Sequence, residues 1–194
     1  LFLKGDRCKT EKCPINRKSP KPGKNPKMRP NQKQSEYSVQ LREKQRLKRS
    51  YGLMETQFRN TFDKALRMPG KTGDNLFGLL ERRLDNVVYR LRFATSRAQA
   101  RQLVLHGHVV VNGKRVNISS YVVRPGDAVG IHPTSKKIAM VKEAMQEFTK
   151  SGVMPWLEVN PDALEGKFCA IPRRQDITDM TDIREQLVVE LYSK

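Results

Sequence analysis

No stretch of this chain is apolar for long enough to cross a bilayer; about 20 consecutive apolar residues are needed, and no run comes near that. Acid is scarce as well: 20 Asp+Glu stand against 38 Lys+Arg, leaving a formal charge of +18. Three cysteines in 194 residues exclude a disulfide framework. Hydrophobic residues make up only 37%, so the core is thin for the length. Leu1-Phe2-Leu3 is too short for a signal-peptide core and Lys4 breaks it. The chain is therefore read as cytosolic. It opens on leucine rather than methionine, so an upstream segment is expected.

Catalytic signatures are also missing. There is no Ser/His/Asp order, no H-E-x-x-H and no complete metal site. Gly70-Lys71-Thr72 lacks the upstream glycine of a phosphate loop, so no nucleotide site is assigned there. No enzyme is predicted. What is present is positive charge, and a surplus this large calls for a polyanion: nucleic acid first, then an anionic membrane or a heparin-like polymer.

The most patterned stretch is Arg83 to Ile131. Leu84, Val87, Val88 and Leu91 fall at helical spacing. Ser96 and Gln99 have capping-box spacing, so a second helix starts there, with Ala100, Leu103 and Val104 inward and Gly107 as its stop. Val109–Val111, Asn112-Gly113 and Lys114–Val116 read as a hairpin on a type I′ turn. Around this frame crowd Arg83, Arg90, Arg92, Arg97, Arg101, Lys114 and Arg115. His106, His108, Ser96, Gln99, Gln102 and Asn112 are interleaved as hydrogen-bonding partners. A helix opening Ser-Arg-x-Gln offers free N–H groups, a positive dipole end and a guanidinium, a set suited to a phosphate. Arg97 and Arg101 are expected to point outward and grip it.

Residues 1–34 read as a basic extended arm. Prolines and glycines punctuate it, and Lys18, Lys21, Lys24 and Lys27 recur along it. Such composition does not bury enough apolar surface to order itself in water; threading along phosphates is its expected use. Cys8 and Cys13 have the spacing of half a zinc or iron–sulfur site; one pair is not a site, and without further ligands these cysteines are free. Cys169 reads as a small buried hydrophobe.

Ser35 to Ser50 is a basic helix with Tyr37, Leu41, Leu47 and Tyr51 inward and Arg42, Arg46 and Arg49 outward. Met54, Phe58, Phe62, Ala65 and Leu66 predict a second helix, and Asp74 is the expected cap of a third. Beyond the hairpin, strands are expected at Tyr121–Arg124, Ala128–Ile131, Trp156–Val159 and Lys167–Ile171, with an amphipathic helix over Ile138–Phe148. A closing helix carries Ile183, Leu187, Val188, Leu191 and Tyr192. The fold class is α+β.

RLDNVVYRLRFATSRAQARQLVLHGHVVVNGKRV resembles the RNA-binding module named after the fourth protein of the small ribosomal subunit. R-L-D, S-R-x-Q-A-R-Q-L, H-G-H-V and V-N-G-K occur in order. SEYSVQLREKQRLKRSYGL, E-R-R-L-D-N-V-V and I-R-E-Q-L-V-V-E-L-Y-S-K are similar to further parts of the bacterial-type S-four ribosomal protein family, so the resemblance covers nearly the whole chain.

The resemblance implies a helical domain, 35–82 completed by 172–194, into which the module and its strand and helix extension, 83–171, are inserted. The small sheet of the module is expected to be mostly antiparallel. It implies direct binding to small-subunit ribosomal RNA at a helical junction early in assembly, contact with neighbouring small-subunit proteins and with messenger RNA where it enters, and an influence on decoding accuracy. Family members with a four-cysteine knuckle carry a C-x₂-C pair ahead of a C-x₄-C pair; only the latter is present here. The rival is a stress or ribosome-rescue factor bearing the same module. Pseudouridine synthases and tyrosyl-tRNA synthetases also carry it, but with a large catalytic domain for which this chain has no room.

Overall fold

The computed structural model describes residues 1–8, 10–17 and 35–193, with the side chains of residues 6 and 146–151 outside the description. Lys18, Lys21, Lys24 and Lys27 therefore lie outside the described residues, as does the side chain of Phe148. Four helices come first: α1 Glu36–Ser50, α2 Glu55–Arg67, α3 Thr72–Glu81 and α4 Leu84–Arg90. They are followed by α5 Arg97–Leu105, β1 Val109–Val111, β2 Lys114–Arg115 and β3 Ala128–Ile131. The rest are α6 Ala139–Ser151, β4 Leu157–Asn160, β5 Glu165–Phe168 and α7 Glu185–Tyr192. The five strands form one antiparallel sheet in the order β2-β1-β3-β5-β4, and the fold is α+β.

Each helix begins and ends for a local reason. Ser35 Oγ accepts from the Ser38 N–H at the head of α1, and Ser96 Oγ from the Gln99 N–H at the head of α5. Gly52, at φ 63°, and Gly107, at φ 72°, follow the ends of α1 and α5, as glycine does where a helix stops in the left-handed region. The β1–β2 turn takes Asn112 at φ 49° and Gly113 at φ 77°, the two positive angles that a type I′ hairpin requires. Asn112 does more than tolerate the angle. Its side chain accepts from Ala128 N–H and donates to Asp127, fastening the hairpin to β3.

One contiguous apolar core runs through both ends of the chain. Phe58, Leu76, Phe77 and Leu80 of the first helices meet Leu84, Val88 and Leu91 of α4, which in turn meet Val129 and Phe168 of the sheet. The closing helix α7 packs chiefly on α1. It touches α2 through Tyr192, whose ring stacks on Phe62 at 4.6 Å and on Phe58 at 6.3 Å.

Several expectations need correcting. Asp74 does not cap α3; the helix starts two residues earlier, at Thr72. Asn75 donates to the carbonyls of Ala65, Met68 and Pro69, and so closes the turn from α2. Tyr121–Arg124 is not a strand of the sheet. It lies along the α3–α4 link, joined by the single Arg83–Val122 bridge and by the Val123 N–H on the Arg82 carbonyl. The last strand, β5, sits at Glu165–Phe168 rather than Lys167–Ile171, because Gly166 alone can pass so close to Leu91 and the Glu158 carbonyl. Tyr37 is 60% exposed, and α1 buries Gln40, Lys44 and Ser50 with Leu47 instead. Cys169 is half-buried rather than buried. The first residues of the arm are folded: Gly5–Cys8 is a 3-10 turn and Cys13 is buried.

Candidate nucleic-acid interface

The module places its cations in two very different environments, and burial tells them apart. Arg90 is fully inside. Its guanidinium meets Glu81 through Nε at 2.9 Å and a terminal nitrogen at 2.7 Å, and takes Asp179 in a two-pronged pair at 2.9 Å on each prong. Glu81, itself wholly buried, also accepts from Tyr51 Oη and from Asn86 Nδ2. Burial pushes the Glu81 carboxyl up, but the attraction and hydrogen bonds of Arg90 outweigh it and hold the group below the usual carboxylate range. Burial likewise opposes ionisation of Asp179, and Arg90 followed by Arg97 again brings it down. Tyr51, buried against this carboxylate, is pushed well up.

Arg83 is buried against Asp85, with hydrogen bonds of 3.3 and 3.2 Å. Arg101 grips the same Asp85 and donates to the carbonyls of Tyr51 and Gly52. Arg97 donates from Nε to Asn86 Oδ1 at 2.8 Å and lies against the rings of Tyr89 and Tyr51, 4.5 and 5.0 Å from their centroids. One of its terminal nitrogens is buried without a hydrogen bond, 3.5 Å from Asp179.

These four arginines therefore do not present the outward claw that the sequence suggests. The physical reason is that four acids or amides, Glu81, Asp85, Asn86 and Asp179, stand within reach, and buried guanidiniums require such partners. Two further residues are spent on local structure: Ser96 caps α5, and Gln99 Oε1 accepts from both the N–H and the hydroxyl of Thr95. Asn112 is held in the hairpin as described. Arg46 pairs at 3.3 Å with Asp182 of the C-terminal segment.

The remaining candidates are free or nearly so. Arg42, Arg49, Gln102, His106, Lys114 and Arg115 are exposed, and Arg92 is half-buried. His108 shares a hydrogen bond of 2.9 Å with Ser135, and Arg115 lies 3.2 Å from His132 Nδ1. Arg49 and Arg92 make no ion pair among the described residues. Both line a cleft of about 450 Å³ between the N-terminal segment, the end of α1 and the head of α5. Thr95, Ser96 and Ala98 line it too, with Arg97 and Arg101 forming its wall. Residues at the head of α5 thus line a concavity rimmed by guanidiniums.

Tyr51, Tyr89, Glu81, Asp85 and Asp179 were not among the candidate binding residues that the sequence singled out. Asp85 carried a signal, two positions from Arg83. Asp179 carried none, lying 89 positions from Arg90.

Cys8 and Cys13 are neighbours, both unpaired. The Cys13 thiol is held below its ordinary range chiefly by the Asn16 backbone N–H. Among the described residues no group of three or more His, Cys, Asp or Glu is placed to hold a metal. Two thiols supply half of a tetrahedral site, so the residues present do not fit a zinc ion or a cluster.

Comparison with known families covers this whole region. Residues 1–81 match the ribosomal protein S4/S9 N-terminal domain and residues 82–129 match the S4 domain. The chain is 54% identical to the small ribosomal subunit protein uS4 of Pelobacter propionicus and 53% identical to that of Trichlorobacter lovleyi. It is 51% identical to that of Thermodesulfovibrio yellowstonii. Each alignment spans 100% of this chain and 91% of the relative. The chain belongs to the uS4 family of small ribosomal subunit proteins.

Proposed function

We infer that the chain is a structural, non-catalytic constituent of the small ribosomal subunit in the cytoplasm, and that it binds small-subunit ribosomal RNA directly. One observation carries the site: the head of α5 lines a cleft with Arg49 and Arg92, which make no ion pair among the described residues. Lys114, Arg115, Gln102 and His106 extend the same chemistry over the exposed surface of the module. A-form RNA is read by phosphates, 2′-hydroxyls and shape rather than by base edges in its deep groove, and a cleft of this kind reads such features.

The finer reading is that the protein seats at a helical junction, nucleates assembly, contacts neighbouring subunit proteins and messenger RNA where it enters, and contributes to decoding accuracy. The arm cations Lys18, Lys21, Lys24 and Lys27 and the α1 cations Arg42 and Arg46 would extend the contact. The division into a helical domain, 35–82 with 172–194, and an inserted module, 83–171, draws support from α7 packing back on α1. A metal would require donors additional to Cys8 and Cys13.

The test is a filter-binding titration of Arg49→Gln/Arg92→Gln against a small-subunit ribosomal RNA transcript over a salt series. The expected result is weaker binding and a log–log salt slope shallower by about 0.7–0.9 for each phosphate no longer neutralised, with an unchanged melting temperature. Arg97→Gln and Arg101→Gln should instead lower the melting temperature, because their guanidiniums hold internal partners. Unchanged affinity and slope in the Arg49/Arg92 variant overturn the assignment of the cleft.

A further inference from the structure

A second concavity of about 570 Å³ lies between α3 and residues 171–175 and shares no lining residue with the first. Met68, Leu79, Ile171 and Pro172 form its apolar part, and Lys71, Arg82 and Arg173 contribute cations. Arg174 also lines it but is already engaged, pairing with Glu185 at 3.1 Å and donating to backbone carbonyls. The other three cations make no ion pair among the described residues. Four acids stand nearby among the described residues: Asp74 lines the cleft, Asp127 accepts the Arg124 backbone N–H at 2.7 Å, Asp176 accepts the Arg173 backbone N–H at 2.8 Å, and Glu185 is already paired with Arg174.

The position of Arg82 is fixed by the backbone. Its carbonyl accepts from the Val123 N–H at 2.8 Å, and its own Nε donates to the Val123 carbonyl at 3.0 Å. This pairing brings Arg124, the next residue, alongside. Among the described residues only Nε is engaged, so the two terminal nitrogens of Arg82 remain as an open pair of donors. A planar guanidinium held by one edge and open at the other matches a phosphate in two-pronged fashion. Burial and the neighbouring Arg124 charge hold Arg82 below its ordinary range, and the Asp127 carboxylate offsets them in part.

We propose that this cleft is a second phosphate station for an RNA backbone, with Arg82 as its fixed two-pronged donor and Lys71, Arg124 and Arg173 as flanking cations. The proposal rests on the RNA-binding reading above and adds a contact on the junction between α3 and residues 121–124. An acidic protein segment would find the same cations. RNA is favoured because three lining cations without an ion pair among the described residues, with Arg124 beside them, stand against one lining acid, a balance that suits a repeating row of phosphates in a chain with a formal charge of +18.

The experiment titrates three full-length proteins against a small-subunit ribosomal RNA transcript over a salt series. They are the parent chain, the Arg82→Gln/Arg124→Gln/Arg173→Gln variant and a charge-matched control, Arg59→Gln/Lys64→Gln/Lys142→Gln, whose residues are exposed and line neither cleft. Each phosphate that the variant fails to neutralise should cost about eightfold in affinity at 0.1 M salt, a slope change of about 0.9 taken from a 1 M reference. The cleft variant should show that weakening with its shallower slope, and the control should stay close to the parent. Equal weakening in both variants would mean that net charge alone is sensed, and would overturn the proposal. Isotherms identical to the parent would also overturn it and leave the cleft to an acidic protein neighbour. Lys71→Gln/Arg173→Gln, which removes no internal side-chain bond, repeats the measurement should the Arg82 substitution disturb the fold. Failure of the parent chain itself to bind would refute the broader RNA-binding reading instead.

Discussion

Replacing Glu81 with glutamine should destabilise the fold more than any surface substitution. Glu81 is wholly buried, and its two oxygens receive Tyr51, Asn86 and two nitrogens of Arg90. Glutamine presents one NH₂ where the carboxylate presented only acceptors, so at least one donor meets a donor. More costly, Arg90 loses its most buried counter-charge. Removing one partner of a buried pair costs about 3–5 kcal/mol. Arg90 keeps its two-pronged pair with Asp179, which is partly exposed, so the low end of that range, about 3 kcal/mol, is expected. At a urea slope of about 2 kcal/mol/M this moves the midpoint by roughly 1.5 M. Equilibrium urea unfolding followed by far-UV circular dichroism measures it. A double replacement, Glu81→Leu/Arg90→Leu, removes both charges of the pair, leaves Asp179 to Arg97 at 3.5 Å, and should cost less than Glu81→Leu and Arg90→Leu together. A cost below about 1 kcal/mol for Glu81→Gln, or strict additivity in the cycle, would refute the reasoning that this pair is a buried, coupled unit.

Two further perturbations test other parts of the fold. Glu55, bonded first by Lys44 and then by Lys48, is held down to about 2 from the ordinary 4.5, so its contribution is complete above pH 4.5 and is lost as pH falls toward 2. Glu55→Gln should lower the melting temperature above pH 4.5 and flatten its pH dependence between pH 4.5 and 2; a curve parallel to the parent's in that window would contradict the assignment. Gly166→Ala should cost about 1–3 kcal/mol in urea unfolding, because a new methyl group collides with the side chain of Leu91 and comes within 2.9 Å of the Glu158 carbonyl. Parent-like stability would mean that β5 can shift to admit it.

Much of the framework is legible in the order of residues alone. Ser96 with Gln99, the glycine after α5 and Asn112-Gly113 are local signals, each acting over a few residues, and each produces the cap, stop or turn it announces. Even there the detail differs: the Gln99 side chain reaches Thr95 rather than Ser96. The misplaced elements are those whose position depends on something distant. Tyr121–Arg124 has strand-like residues, but its partner is the α3–α4 link. The edges of β5 are set by the approach of Gly166 to Leu91.

The binding surface divides in the same way. Charge excess, helix caps and hairpin chemistry are written in neighbouring residues, so the sequence by itself determined that a basic module of two helices and a ribbon would form. Which cations remain available was decided only by tertiary structure. An arginine is freed or consumed according to whether an acid from another part of the chain arrives beside it, and Asp179 reaches Arg90 and Arg97 from the far end. Charge pairing acts through space and at short range, so sequence separation carries no information about it.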